Sequence, residues 1–236
     1  MNNKAMSDLQ DFQNSLDIKF NDENLLKQAF VHRSYLNEHP NLKLEHNERL
    51  EFLGDAVVEL IVTDYLYKNF KDPEGKLTSW RAALVNSDMM SEISERIKIG
   101  DFLMLSRGEA RDTERARQYI LADALEALIG ALYLDRGYQE CEKFVHKYMI
   151  PELPKIIAEK KYVDDKSYFQ EKAQEETGIT PRYQVLKEWG PDHARHFEVG
   201  VFLKEDLIGE GDGLSKQEAE QKAAGKALEK MGWDKK

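Results

Sequence analysis

The stretch HNERLEFLGDAVVELIV, residues 46–62, combines a row of carboxylates with a helical apolar pattern. Glu48, Glu51 and Asp55 are spaced three and four residues apart, which places them on one face of an α-helix. The other faces carry apolar residues and predict a helix that is buried on most sides: Leu50, Leu53, Val57, Val58, Leu60 and Ile61. Because aligned carboxylates repel one another and are costly to desolvate, such a face favours a bound cation.

A second acidic pair lies in LADALEALIGALYLD, residues 121–135. Asp123 and Glu126 fall opposite a predicted core stripe formed by Leu121, Leu125, Leu128, Ile129 and Leu132. Ala127 and Gly130 share the carboxylate side, where small residues would let another helix or a nucleic-acid backbone come close. If the two helices pack side by side, five carboxylates converge, and an all-oxygen ligand set suits Mg²⁺ first.

A plainer interpretation of the same carboxylates is a solvated helix face held by ion pairs. Glu51 could then pair with Arg49 or Arg81, and Glu126 with Arg117. Taken alone, each acidic cluster fits this interpretation, but an acidic cluster on an otherwise apolar helix fits it less well.

The composition favours a cytoplasmic protein without a membrane segment. Among the 236 residues, 41% are hydrophobic, yet no apolar run is long enough to span a bilayer, and the N-terminus has no signal-peptide core. The lone Cys141 excludes an internal disulfide. The net charge of -10 has the wrong sign for a protein that binds nucleic acid broadly, unless divalent cations occupy the concentrated carboxylates.

The order of predicted elements indicates two domains. The first is helical, with Asp22 capping an early helix, further helices over about 47–70, 77–85, 87–97 and 119–135, a loop at 72–75 and a stop at Gly137. A linker follows over 154–163. The second part alternates apolar and polar residues over 196–204, flanked by strands at 182–189 and 207–210, and ends in a helix capped by Ser215. Its predicted order is helix, three strands, helix.

The stretch NERLEFLGDAV, residues 47–57, closely resembles the signature of the ribonuclease III family. LADALEALIGALYLD resembles the second acidic helix of that family, and GKLTSWRAALVN, residues 75–86, resembles the segment between them. The resemblance implies an all-α ribonuclease III catalytic domain over 1–153 that works as a homodimer. It also implies a small α+β double-stranded-RNA-binding domain (α-β-β-β-α) over 164–236, after the linker.

The resemblance also implies the roles of individual side chains. The metal-binding positions of the family fall on Glu51, Asp55, Asp123 and Glu126, of which Asp55 and Glu126 are catalytic. The implied cofactor is Mg²⁺, with Mn²⁺ as a substitute. Accessory positions fall on Glu48 and Glu74, and Phe52 matches an aromatic of the dimer interface, for which plain core packing is the alternative.

Three segments of the second domain resemble double-stranded-RNA-binding domains: DKSYFQEKAQ at 165–174, GPDHARHFEVGV at 190–201, and GEGDGLSKQEAEQKAAGKAL at 209–228. Such domains read duplex shape across successive minor grooves. The resemblance implies RNA contacts from Gln170, Glu171, His193, Ser215, Lys216 and Lys222. The alternatives are an exposed turn for His193 and a solvated helix face for the lysines.

Two departures from that pattern predict weak binding to phosphate. Gln217 stands where the family commonly has a second lysine after the cap. Residues 166–236 carry 12 basic and 14 acidic side chains, so the domain is net acidic and its affinity should depend little on salt.

The function implied by the resemblance is metal-dependent endonucleolytic cleavage of double-stranded RNA, which leaves 5′-phosphate and 3′-hydroxyl ends with short 3′ overhangs. Processing of ribosomal precursor RNA and other structured transcripts is the expected role. One alternative is a protein that binds RNA duplexes without cutting them, which degenerate carboxylates would favour. The other is a structural helical dimer with solubilising acidic patches, which leaves the second domain unexplained.

Overall fold

The computed structural model describes residues 3–111, 113–160, 162–191 and 195–233. The chain divides into two compact units, Met1–Ile156 and Ile157–Lys236. The division falls inside the segment predicted to be a linker. The first half of that segment is helical, since it belongs to a short helix, Leu153–Ala158. Leu153 and Ile156 of this helix are buried.

The first unit is helical in its described residues. Its α-helices are α1 (Asn3–Leu16), α2 (Glu23–Ala29), α3 (Arg33–Glu38), α4 (Glu48–Asn69), α5 (Glu74–Leu84), α6 (Ser87–Arg96), α7 (Glu114–Arg136), α8 (Tyr138–Tyr148) and α9 (Leu153–Ala158). Short 3₁₀ turns lie at Ile99–Asp101, Glu109–Arg111 and Ile150–Glu152. Asp22 caps α2 by accepting a hydrogen bond from the Asn24 N–H, which confirms that prediction.

The two acidic helices, α4 and α7, pack against each other at the centre of the first unit. Gly54 of α4 and Gly130 of α7 make this approach possible. A Cβ at Gly54 would overlap the backbone oxygen of Glu126, and a Cβ at Gly130 would overlap the backbone oxygen of Leu50. The expectation that Gly130 admits a neighbouring helix is therefore confirmed, and the neighbour is α4.

The predicted core stripe of α7 is buried in full, at Leu121, Leu125, Leu128, Ile129 and Leu132. The helix begins earlier than predicted, because Thr113 caps it through the Ala116 N–H. It ends at Gly137, whose φ of 80° lies in a region that glycine adopts readily.

The prediction that α4 is buried on most sides is wrong for one face. Val57, Val58 and Ile61 are buried, as expected, but Leu60 is 58% exposed. The exposed face also carries Phe52 at 81% and Tyr67 at 74%, spaced along the same side of the helix. The apolar pattern of the sequence predicts that this face of α4 avoids water. It does not show whether residues of the same chain or of another molecule cover the face.

The segment 72–75 is only partly a loop. Glu74 and Gly75 already belong to α5, which starts directly after Pro73, the residue at its N-cap. Proline is tolerated there because the first N–H groups of a helix have no partner within it. Glu74 is therefore held on the first turn of a helix.

The second unit is an α+β sandwich of two layers. Its elements are α10 (Asp165–Thr177), β1 (Arg182–Trp189), β2 (His196–Leu203), β3 (Asp206–Gly213) and α11 (Lys216–Met231). The strands form an antiparallel sheet in the order β1-β2-β3. The predicted order of helix, three strands and helix is confirmed, and Ser215 caps α11 through the Glu218 N–H.

Small residues bring α11 onto the sheet. Phe169, Val201 and Leu228 form the core of the second unit together with a row of alanines on α11. A Cβ at Gly209 or Gly211 of β3 would collide with the backbone of α11. The alternation predicted for β2 holds where it faces this core, because Val199, Val201 and Leu203 are buried. Within the described ranges, no helix of either unit is long and apolar enough to cross a membrane.

We predict that Gly54→Ala destabilises the protein by about 1–3 kcal/mol or more, because the added methyl group forces the α4 and α7 backbones apart. Gly75→Ala is the matched control. It lies in the first turn of α5 with open space around the added Cβ, so it should change the free energy of unfolding by less than about 1 kcal/mol. Urea unfolding measures both changes, and equal effects of the two substitutions would contradict the close contact.

Candidate metal centre and nucleic-acid surface

Three carboxylates meet where α4 crosses α7. One oxygen from each of Glu51, Asp123 and Glu126 lies within 4.8 Å of the other two. All three side chains are partly buried. Their packing follows from the glycine contact, which brings the acidic faces of the two helices together. An all-oxygen cluster of this kind fits a divalent metal site.

The cluster is electrostatically unfavourable without a cation. Burial, followed by the charges of Asp123, Glu48 and Asp55, raises the pKa of Glu51 to about 7. Burial, with Asp55 as the foremost neighbouring charge, raises the pKa of Glu126 to about 8. Burial also raises the pKa of Asp123. A bound divalent cation would favour the charged forms and so fits these residues.

The alternative of a solvated face held by arginines is not what the structure shows. Among the ion pairs between described residues, none includes Glu51 or Glu126. Arg81 instead donates a hydrogen bond from Nη1 to Thr63 Oγ1 at 2.9 Å. Within the described ranges, the clustered carboxylates therefore face one another without a basic side chain at ion-pair distance.

Asp55 lies beside the cluster without joining it. It follows Glu51 by one turn of α4 and is exposed. Its proximity to the cluster is evident from its effect on Glu126, where its charge is the largest electrostatic contribution to the raised pKa. The four predicted ligands are therefore three clustered carboxylates and an exposed fourth at their edge.

The expectation that five carboxylates converge is wrong, because Glu48 is turned toward basic groups. Arg33 Nη1 lies 3.1 Å from one Glu48 oxygen, and His46 Nδ1 lies 3.8 Å from the other. Glu48 remains close enough to raise the pKa of Glu51. Glu48 is therefore paired with Arg33 and lies beside the three clustered carboxylates, outside their cluster.

Glu74 lies apart from the three clustered carboxylates. Its Oε1 accepts a hydrogen bond from the Thr78 hydroxyl at 3.2 Å on α5. It lines an open groove between α4 and α5 together with Leu66, Tyr67 and Arg81. An accessory role for Glu74 remains a prediction.

Phe52 is not a core residue. Its side chain is 81% exposed, so core packing, the alternative considered for it, is wrong. It borders an open groove that is also lined by Leu25, Leu53 and Leu134. A dimer contact remains a prediction for this position.

The predicted RNA contacts of the second unit lie at its surface. Gln170 and Glu171 are exposed on α10, where they line a shallow groove with Ser167 and Gln174. His193 lies outside the described residues.

The remaining predicted contacts gather at the start of α11. The Ser215 hydroxyl accepts the Glu218 N–H at 3.1 Å, which leaves its own hydrogen able to donate. Lys216 Nζ lies 5.5 Å from the centre of the Phe197 ring. Lys222 pairs with Glu218 at 3.1 Å, so a phosphate would compete with that carboxylate.

Sequence reasoning missed His32 and Arg33, which lie at the N-terminal end of α3. His32 lies close enough to Asp123 to lower its pKa, against the larger effect of burial, and Arg33 pairs with Glu48. His32 and Asp123 are 91 positions apart in the chain. No spacing pattern joins them, so only the folded chain could reveal their proximity.

The raised pKa values predict a pH-dependent stability in chelator. The unfolded chain releases the Glu51 and Glu126 protons near pH 4.5, whereas the folded chain keeps them to about pH 7 and 8. The folded state thus binds more protons in this window, so these groups make the free energy of unfolding fall as pH rises from about 4.5 to 8.

Glu126→Gln should reduce this loss of stability with rising pH. It should also raise the melting temperature at pH 8, by about 2–4 °C for each kcal/mol gained in the free energy of unfolding. Thermal unfolding in chelator measures it. Glu92→Gln, at an exposed position of α6, is the control and should follow the wild-type curve. A Glu126→Gln curve that also coincides with the wild type would contradict the unfavourable cluster.

Comparison with solved structures shows similarity to nuclease domains. A structure described as the nuclease domain of ribonuclease III from Campylobacter jejuni matches with a TM-score of 0.56 and 38% sequence identity. The match covers 65% of this chain and 98% of that domain. A second structure of the domain, described in terms of flexibility in a region involved in dimer formation, matches with a TM-score of 0.55 and 40% identity, over 61% of this chain and 96% of its own.

Sequence comparison covers nearly the whole chain. "Ribonuclease 3" from Oceanobacillus iheyensis is 43% identical over 225 residues, which are 95% of this chain and 98% of the relative. "Ribonuclease 3" from Enterococcus faecalis is 44% identical over 215 residues, which are 91% and 93% of the two chains. The family model described as Ribonuclease-III-like matches residues 22–153, and the double-stranded RNA binding motif matches residues 166–231. These matches support an endoribonuclease that acts on double-stranded RNA, and the chain belongs to the ribonuclease III family.

Proposed function

We propose that this protein hydrolyses phosphodiester bonds of double-stranded RNA with a divalent metal held by Glu51, Asp55, Asp123 and Glu126. The observation that carries the proposal is the three-carboxylate cluster between α4 and α7. It occurs in a chain that also carries a double-stranded RNA binding motif. Mg²⁺ is the proposed cofactor and Mn²⁺ its substitute, because both accept carboxylate oxygens.

The proposed chemistry divides between the ion and the chain. A bound divalent cation would lower the pKa of a nucleophilic water and offset charge on the leaving oxygen. Glu51, Asp123 and Glu126, with Asp55 at their edge, would hold the ion in place. Asp55 is exposed beside them, and we assign Asp55 and Glu126 as the catalytic pair. Attack that expels the 3′ oxygen leaves 5′-phosphate and 3′-hydroxyl ends.

The second unit supplies contacts to the RNA duplex in this proposal. Gln170 and Glu171 on α10 contact the minor grooves, and a further minor-groove contact is assigned to His193. Ser215, Lys216 and Lys222 contact phosphates at the start of α11, where the helix dipole is positive. The exposure of both helix surfaces supports this assignment.

We also propose that the protein acts as a homodimer, with one site for each RNA strand. The exposed apolar face of α4 supports it, since Phe52, Leu60 and Tyr67 lie uncovered in the single chain. The Campylobacter jejuni domain, whose description mentions dimer formation, is similar to this unit.

Ribosomal precursors and other structured transcripts in the cytoplasm are the proposed substrates. Glu48 and Glu74 are assigned accessory roles at the site.

The decisive experiment incubates the full-length protein with a labelled RNA duplex, in Mg²⁺ and in chelator. A matching single RNA strand and a DNA duplex serve as substrate controls. Cleavage of the RNA duplex alone, and only with Mg²⁺, is the expected result. Binding without cleavage across several divalent metals would instead identify an RNA-binding protein that does not cut.

Glu126→Gln should lower the cleavage rate at least about 100-fold while RNA binding stays near the wild-type value. It removes a ligand charge, and even the loss of residues outside the ligand sphere lowers activity about 10–100-fold. Single-turnover cleavage and gel-shift titration measure the two properties. Glu92→Gln should cleave normally, and cleavage retained by Glu126→Gln would reject the ligand assignment.

Phe52→Ala should weaken the dimer, because it removes an exposed aromatic side chain from the proposed interface. Sedimentation across a dilution series measures the dissociation constant. Leu214→Ala, at an exposed apolar position of the second unit, is the matched control and should leave it unchanged. A dimer unaffected by Phe52→Ala would exclude this side chain from the interface.

A further inference from the structure

Hydrogen bonds hold the carboxylate of Glu218 in a fixed position at the start of α11. Its Oε2 accepts the Leu214 N–H at 3.0 Å, and the backbone N–H of Glu218 donates to Ser215 Oγ at 3.1 Å. Bonds of this kind join the first turn of a helix to the residues before it, in the manner of a capping box. The negative charge of Glu218 therefore cannot leave the helix start unless a hydrogen bond breaks.

The second oxygen of the same carboxylate engages Lys222. Glu218 Oε1 lies 3.1 Å from Lys222 Nζ, one turn further along α11. A glutamate followed by a lysine four residues later has the favourable orientation for such a pair on a helix. The Lys222 side chain is 49% exposed, whereas that of Glu218 is 24% exposed. An incoming anion can thus reach Lys222, but only beside a carboxylate that stays in place.

Lys216 has different surroundings. Its Nζ lies 5.5 Å from the centre of the Phe197 ring, and it forms no ion pair within the described part of the second unit. Contact with a ring does not cancel the charge of an ammonium group. Of the two lysines, Lys216 offers its charge freely and Lys222 offers it in competition with Glu218.

We propose that Glu218 limits the affinity of the second unit for phosphate, because its fixed carboxylate restrains Lys222 and repels an anion at the start of α11. Two like charges about 4 Å apart in water repel by an amount equal to about a fivefold change in affinity. This inference rests on the proposed function, in which Lys222 contacts a phosphate of the RNA duplex.

The restraint weakens the binding of every polyanion that places a phosphate at Lys222. Charge accounts for essentially all of nonspecific binding to nucleic acid but for only a share of specific binding. A ligand held by charge alone is therefore released first, whereas one that also fits the unit by its shape keeps its other contacts.

Glu218→Gln separates the charge of this side chain from its hydrogen bonds. The amide oxygen can still accept the Leu214 N–H, but no negative charge remains beside Lys222. Binding of a labelled RNA duplex, measured in chelator at about 0.1 M salt, should become about three- to tenfold tighter. The slope of log affinity against log salt concentration should steepen by about one unit. A structural role alone would leave that slope unchanged.

Glu229→Gln is the matched control. It makes the same charge change at an exposed position of α11, about 16 Å further along the helix and beyond the screening length at this salt concentration. It should bind the duplex as the wild type does. Equal melting temperatures show that both variants are folded. Equal gains from the two substitutions would reveal an effect of net charge alone and would overturn the proposal.

Lys222→Gln identifies the charge that Glu218 restrains. It should weaken duplex binding by a smaller factor in the wild-type background than in the Glu218→Gln background, where it should remove most of the gain. The same factor in both backgrounds would mean that the two side chains act independently, and this would also overturn the proposal.

The two proposals fail in different ways. If neither the wild type nor Glu218→Gln binds the duplex, the RNA contacts of the proposed function are rejected, and this inference with them. If the wild type binds and Glu218→Gln brings no gain, only the restraint by Glu218 is rejected, and the proposed function stands.

Discussion

The close approach of α4 and α7 is the contact on which the rest of the first unit depends. Gly54 and Gly130 let two backbones meet where any side chain would hold them apart. The acidic residues Glu51 and Glu126 lie within a turn of this contact, one on each helix. A separation of the helices by even one methyl group would move these carboxylates apart. The same two glycines thus determine both the packing of the core and the geometry of the site.

The arrangement of the clustered carboxylates lowers the stability of the folded chain and at the same time forms the candidate metal site. Partly buried carboxylates that form no ion pair among the described residues raise the free energy of the folded chain, and the raised pKa values of Glu51 and Glu126 express this cost. The buried apolar stripes on the opposite faces of both helices offset that effect. Such a cluster would gain stability if a divalent cation bound to it. Local departures from the rules of stable packing, such as like charges placed together, are typical of functional sites.

The sequence was most informative where a periodic pattern and a packing partner lay in the same chain. The core of α7 and the order of elements in the second unit follow from such patterns. The pattern on α4 could not separate Val58, which the chain itself covers, from Leu60, which it leaves exposed. Likewise, spacing on α4 placed Glu48 with Glu51, but the distant Arg33 turns it away. The electrostatic effect of His32 on Asp123 acts across 91 positions of the chain, which no local pattern contains.

The net negative charge of the chain is consistent with the roles proposed for its two units. The carboxylate cluster would repel a phosphate backbone until a cation neutralises it, so the ion that enables the proposed chemistry also admits the substrate. The second unit offers only limited attraction, because Lys222 is already paired with Glu218 and the segment is net acidic. Since neither unit carries a strong excess of positive charge, nonspecific binding to nucleic acid should be weak. Productive binding would then require duplex shape at the second unit and metal at the first, which is a physical basis for selectivity in a negatively charged ribonuclease.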